Sequence, residues 1–154
     1  MMPLAAVLLL ALAAVVAVRR RYVVVTVDGL SMAPTVRPGD RVLVRRCGPA
    51  GASAGRLAVT EPPAGTRWDH ARRPGLLIKR VAAAPGDPVP RVRALRDRPE
   101  PRVPEGRIVL LGDNPDESLD SRSWGYFHTD RIVGVVVRQF PRAVPVSSGK
   151  DPHS

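Results

Sequence analysis

Beyond residue 18, no stretch of this 154-residue chain keeps a helical apolar stripe for more than about two turns. In its place come short apolar runs punctuated by 13 glycines and 17 prolines. Residues 22–27 (YVVVTV) are almost wholly β-branched, and residues 41–45 (RVLVR) alternate charged and apolar side chains as a half-buried strand requires. Residues 56–60, 76–83, 107–111 and 131–140 are the remaining candidate strands. Pro38-Gly39-Asp40, Pro74-Gly75 and Pro85-Gly86-Asp87 mark turns between them. The expected fold class is mainly β: an antiparallel sheet, closed into a partial barrel, forming one domain over residues 22–146. Residues 61–73 read as a polar loop around Trp68, and residues 88–105 (PVPRVRALRDRPEPRVPE) as a mobile insertion. Residues 147–154 read as a flexible tail. About 120 residues remain for a single, modest core.

Residues 1–18 carry no charged side chain, and Arg19, Arg20 and Arg21 follow at once. As a helix this run rises about 27 Å, close to the roughly 30 Å of a bilayer's hydrocarbon core. Ala11-Leu12-Ala13 has the small residues of a cleavage site, but no basic segment precedes the run, so residues 1–21 are expected to be an uncleaved transmembrane anchor. The positive-inside rule would hold the three arginines in the cytoplasm, against any extracytoplasmic placement of the domain that follows.

The 24 Lys+Arg outnumber the 14 Asp+Glu, a formal charge of +10. Beside an apolar anchor that charge suits anionic lipid headgroups. Two each of Trp, Tyr and Phe, without a recognition motif, argue against nucleic acid. The lone Cys47 excludes an intramolecular disulfide, and His70, His128 and His153 lack ligand spacing, so neither metal nor cofactor is expected. Nothing in the chain fixes an oligomeric state.

Ser31 lies in Asp28-Gly29-Leu30-Ser31-Met32-Ala33-Pro34-Thr35. Pro34 cannot continue a helix and pushes Ala33 toward extended backbone, so Ser31 is expected in an extended segment. Gly29 lets another backbone approach closely. Amide hydrolysis by a serine needs a base, and His128, beside an apolar strand, reads as structural. Lysine occurs only at Lys79 and, in the tail, at Lys150. Lys79 sits on a candidate strand among Ile78, Val81 and other apolar residues. To serve as a base its pKa must fall from about 10.4 to about 8, on the order of 3–4 kcal/mol, which burial can supply. Taken singly, each residue has a plainer reading. Ser31 is a turn serine, Lys79 a solvated strand lysine, and Asp120 with Arg122 a surface pair of little weight. Trp124 and Tyr126 read as core or membrane-interface aromatics.

Four segments occur in one order: Ser31-Met32-Ala33-Pro34-Thr35; Pro38-Gly39-Asp40-Arg41-Val42; Lys79-Arg80-Val81-Ala82-Ala83-Ala84-Pro85-Gly86-Asp87; and Gly112-Asp113-Asn114-Pro115-Asp116-Glu117-Ser118-Leu119-Asp120-Ser121-Arg122. They resemble the sequence boxes of the type I signal peptidases, a family that includes bacterial leader peptidases and mitochondrial inner-membrane peptidases. The resemblance implies a Ser/Lys dyad in a serine endopeptidase, with Ser31 as nucleophile and Lys79 as general base. It implies that the Ser31 N–H contributes to the oxyanion hole and that Ser118 orients the lysine ammonium. Asp120 and Arg122 match a supporting ion pair, and Asp113 and Asn114 shape its loop. Gly29, Leu30, Met32 and Ile78 match substrate-binding positions, the last two lining small pockets. The implied substrates are signal peptides of secreted preproteins, cut after an Ala-X-Ala pattern. The implied location is the plasma (inner) membrane, single-pass, with the catalytic domain on the extracytoplasmic face and membrane lipids as neighbours. Gly29 has no hydroxyl, so the side-chain contribution to the oxyanion hole of some members is absent. Two other readings use the same residues. One is a maturation protease for a single propeptide, as for nickel superoxide dismutase. The other is an inactive membrane-tethered peptide-binding module. The apolar first segment favours the secretory role, and Ser31, Lys79 and Ser118 together favour activity.

Overall fold

The computed structural model describes residues 4–65 and 75–143. Each candidate strand becomes one: β1 (Tyr22–Thr26), β2 (Arg41–Arg46), β3 (Leu57–Thr60), β4 (Leu77–Ala83), β5 (Arg107–Leu111) and β7 (Ile132–Phe140), with a short β6 (Phe127–His128) added. They pair antiparallel in the order β1-β2-β7-β3-β4-β5-β6. The expected partial barrel is corrected to an open sheet, because β1 and β6 end it at opposite edges. Curvature comes instead from irregularities between Leu43 and Val44, Val59 and Thr60, and Val81 and Ala83. The curl lets β1 and β4, which are separated in the sheet by β2, β7 and β3, wall the same cleft.

Strand alternation divides the core between the two faces of the sheet. Val59 packs with Val42, Val44, Met32 and Ile78, while its neighbour Ala58 packs with Val81, Ile108, Leu110, Phe127 and Val135. Burying each larger aliphatic side chain contributes about 1.5–3 kcal/mol. Residues 88–105 are also corrected: they fold onto the sheet rather than hanging free. Leu95 and Val103 bury with Ala83 and Val109, and Val103 exchanges backbone hydrogen bonds with Gly86 and Asp87. Most of the loop around Trp68 (residues 66–74) and the tail from residue 144 lie outside the described residues.

A helix, α1 (Leu4–Arg21), runs directly into β1 and buries none of its side chains. Arg19, Arg20 and Arg21 form its last turn, so the apolar part within the described residues, 4–18, rises only about 22 Å. No helix among the described residues is long and apolar enough to cross a membrane, so the spanning anchor expected over residues 1–21, of which residues 1–3 lie outside the described residues, is not confirmed.

Candidate active site

Ser31 sits on the loop between β1 and β2, and that loop is closed at its base. The Val27 N–H donates to the Asp40 carbonyl (2.9 Å) and the Gly39 N–H to the Val27 carbonyl (2.7 Å). Within it the chain turns instead of staying extended: the Ala33 N–H donates to the Leu30 carbonyl (3.0 Å) and the Val36 N–H to the Met32 carbonyl (3.0 Å). The physical reason is burial. Met32 and Val36, 1% and 0% exposed, both reach the core, which a straight segment would not allow. Ser31 is thereby held next to an immobile neighbour. Its own N–H donates to no described residue.

A second loop, after β5, grips the first. The Asn114 N–H donates to the Ser31 carbonyl (3.0 Å), and Asn114 Nδ2 to the Leu30 carbonyl (3.2 Å). Thr35 Oγ1 donates to Asp113 Oδ2 (2.6 Å), and Asp113 also takes a two-pronged bond from Arg80 Nε (2.8 Å) and Nη2 (2.6 Å). The Arg80 guanidinium holds the Asp113 carboxyl below the usual carboxylate range. Arg80 follows Lys79 on β4, so this clamp ties the lysine's strand to the serine's loop. Gly112 is where the parts converge: a Cβ there would lie 2.1 Å from Ser118 Oγ and 2.6 Å from the Ser31 carbonyl oxygen.

Behind the lysine, the wholly buried Asp120 caps a short helix, α2 (Ser121–Trp124). Its carboxylate accepts from the Gly112 N–H (2.7 Å), Ser118 Oγ (2.7 Å), the Arg122 N–H (2.9 Å) and Arg122 Nη1 (2.7 Å). Lys79 is 3% exposed. It shares its face of β4 with Leu77 and Val81. Burial lowers its pKa to about 8, Asp120 opposing the shift and Arg122 adding to it.

Lys79 and Ser31 open onto one cleft of about 400 Å³. Gly29, Leu30, Met32 and Ile78 line it as well, and Leu119 and Trp124 wall one side. The lysine and the five loop and strand residues expected around it are thus brought together, while Asp113, Asn114, Ser118, Asp120 and Arg122 form the layer behind. The Ser118 hydroxyl donates to Asp120. Sequence reasoning passed over Arg80, Thr35 and Gly112. Arg80 carried a signal in hindsight, a cation beside the one strand lysine, whereas Thr35 and Gly112 act only through long-range contacts.

The family model described as "Signal peptidase, peptidase S26" matches residues 1–94 and 91–140. The chain belongs to the type I signal peptidase family. Members are serine endopeptidases, so a cleft holding one serine and one amine of lowered pKa is the arrangement to expect. The chain is 30% identical over 134 residues to a probable signal peptidase I-1 of Synechocystis sp., covering 72% of this chain and 67% of that protein. It is 28% identical over 153 residues to signal peptidase IB of Staphylococcus aureus, covering 75% of each.

Proposed function

We propose that the protein removes signal peptides from secreted preproteins, with Ser31 and Lys79 as its catalytic dyad. The observation that carries this reading is a lysine amine, buried and lowered to about 8, in the same cleft as a serine on a fixed loop. A neutral Lys79 takes the Ser31 hydroxyl proton as Oγ attacks the carbonyl before the cut. The resulting ammonium returns a proton to the leaving amine, and the lysine then activates the water that releases the acyl group. The free Ser31 N–H is positioned to donate to the oxyanion. Ser118, its own proton directed to Asp120, keeps lone pairs with which to hold the ammonium.

The substrate enters extended and pairs with strand edges. Among the described residues, β4 is paired on its β5 side only from Arg80 onward, which leaves Leu77, Ile78 and Lys79 with an unpaired edge beside the cleft. Met32 and Ile78 line the cleft, and the pockets they form are read as taking small residues such as the alanines of Ala-X-Ala. The family is membrane-associated, and α1 exposes apolar side chains around its whole circumference: Leu4 is 75% exposed, Leu9 66% and Leu12 61%. We place α1 in the lipid of the plasma membrane and the sheet on its extracytoplasmic face. Ser31→Ala and Lys79→Ala should each abolish cleavage of an Ala-X-Ala preprotein while leaving the near-ultraviolet circular dichroism unchanged. Cleavage at the native rate by the Lys79→Ala protein would remove the dyad.

A further inference from the structure

A recess of about 370 Å³, sharing no lining residue with the catalytic cleft, is lined by Arg91, Val92, Arg93, Arg122 and Ser123. We propose that it binds a phosphate-type oxyanion, a monoester or diester, and that its occupancy slows the enzyme.

Among the described residues, three arginines line the recess and no acidic residue does. Among the described residues neither Arg91 nor Arg93 has an ion-pair partner. Arg122 Nη1 is engaged by Asp120, and both its terminal nitrogens approach the Gly112 carbonyl (3.4 and 3.3 Å), which leaves its Nε uncommitted. Arg91 and Arg93, unpaired among the described residues, add their charges beside the Asp120-paired Arg122, an arrangement that an anion stabilises, and guanidinium forks match phosphate oxygens in geometry. The walls are built rather than loose. The helical turn Arg93–Leu95 packs on α2, with Leu95 2% exposed beneath it. Ser123 adds a hydroxyl from a turn fixed by its N–H on the Asp120 carbonyl (2.9 Å).

Arg122 connects the recess to the chemistry. Around Lys79 the charged groups are Asp120 and Arg122 behind it, Arg80 paired with Asp113 beside it, and Asp28 and Glu117 in the cleft. Of these, Arg122 alone also lines the recess. Its positive field disfavours the protonated lysine. An anion seated on Arg122 offsets that field, so less of the neutral amine is present at pH 7 and the alkaline limb of the rate profile moves upward. The effect on rate rests on the dyad proposed above; binding does not.

The test uses the full chain in neutral detergent micelles, titrated with inorganic phosphate at constant ionic strength and followed by phosphorus NMR. Saturable binding is expected, weakened about tenfold or more in R91A/R93A. In the same samples, phosphate should slow peptide cleavage about two- to fivefold at pH 7 and hardly at all at pH 10, where the lysine is neutral either way. R91A/R93A should keep the phosphate-free rate and lose this response. Absence of binding, or equal binding and slowing in R91A/R93A, overturns the proposal. Vesicles of phosphatidylglycerol and of phosphatidylcholine separate the sources. Slowing by the first alone, and only in the wild type, assigns a lipid headgroup; a response to inorganic phosphate alone assigns a soluble one. Arginine-dependent binding by a chain that cleaves no preprotein would keep this site and remove the function proposed above.

Discussion

Holding the Lys79 amine ionised at 3% exposure costs the fold about 3 kcal/mol at neutral pH, the linkage equivalent of moving it from 10.5 to about 8. Below pH 8 the lysine is charged in both the folded and the unfolded chain, and the cost is present in full. Between pH 8 and 10.5 the unfolded chain binds the extra proton, so stability rises with pH through that window on this account. Lys79→Met should therefore be more stable than the wild type by about 2–3 kcal/mol in urea at pH 7, with the gap narrowing by pH 10. An unchanged or lowered midpoint at pH 7, or a gap indifferent to pH, would contradict it. The same titration predicts a cleavage rate that climbs through about pH 8, which a pH–rate profile of kcat/KM reports. Gly112 is the complementary case, since it contributes space and no chemistry. Gly112→Ala forces a methyl against the Ser31 carbonyl and the Ser118 side chain, so the serine loop must shift. A displacement near 1 Å should lower kcat/KM by about 100-fold, measurable on any peptide the wild type cleaves. Lys79 could be singled out in the sequence because it is the one lysine on a candidate strand. Gly112 could not, because its neighbours Ser31 and Ser118 meet it only in the folded chain.

Periodicity exposed β1 to β5 and β7 because each is short, apolar and bounded by turn residues. Two-residue β6 has no period to detect, and the insertion of β7 between β2 and β3 is a pairing choice with no local signature. Residues 88–105 misled for a related reason. Proline and arginine dominate the composition, yet Leu95 and Val103 alone suffice to pin the segment to Ala83 and Val109. Within the site, the residues proposed as nucleophile and base were legible together through the order of four motifs, and the clamp joining their elements was not. Arg80 on β4, Asp113 after β5 and Thr35 after Ser31 meet from three parts of the chain. Half-exposed ion pairs contribute little to stability, so Asp113→Ala should cost only about 1 kcal/mol by thermal unfolding. Its effect on cleavage should be larger, about tenfold or more, because the β4 strand and the serine loop lose their common tie. Equal losses in the wild-type-normalised rate and in stability, with no excess in the rate, would reduce the clamp to a surface feature.

At the scale of the molecule, α1 and the sheet differ in what they bury. Helix α1 buries no side chain against the domain, so removing residues 1–21 withdraws almost nothing from the core of Val42, Val59, Ile78 and their neighbours. The truncated chain should fold, stay in solution without detergent, and melt within about 4 °C of the full chain. The full chain, with its apolar helix uncovered and three arginines at its end, should sediment with phospholipid vesicles and require detergent for release. The two forms should differ most where the substrate is also held in lipid. On the placement proposed above, a preprotein with its apolar signal helix already inserted would meet a membrane-held cleft at high effective concentration, an advantage that truncation would remove. Cleavage of such a preprotein in vesicles should fall by about 100-fold or more on truncation, while cleavage of a short soluble peptide should change little. Equal loss on both substrates would mean that α1 shapes the cleft itself, a role its lack of buried contacts gives no reason to expect.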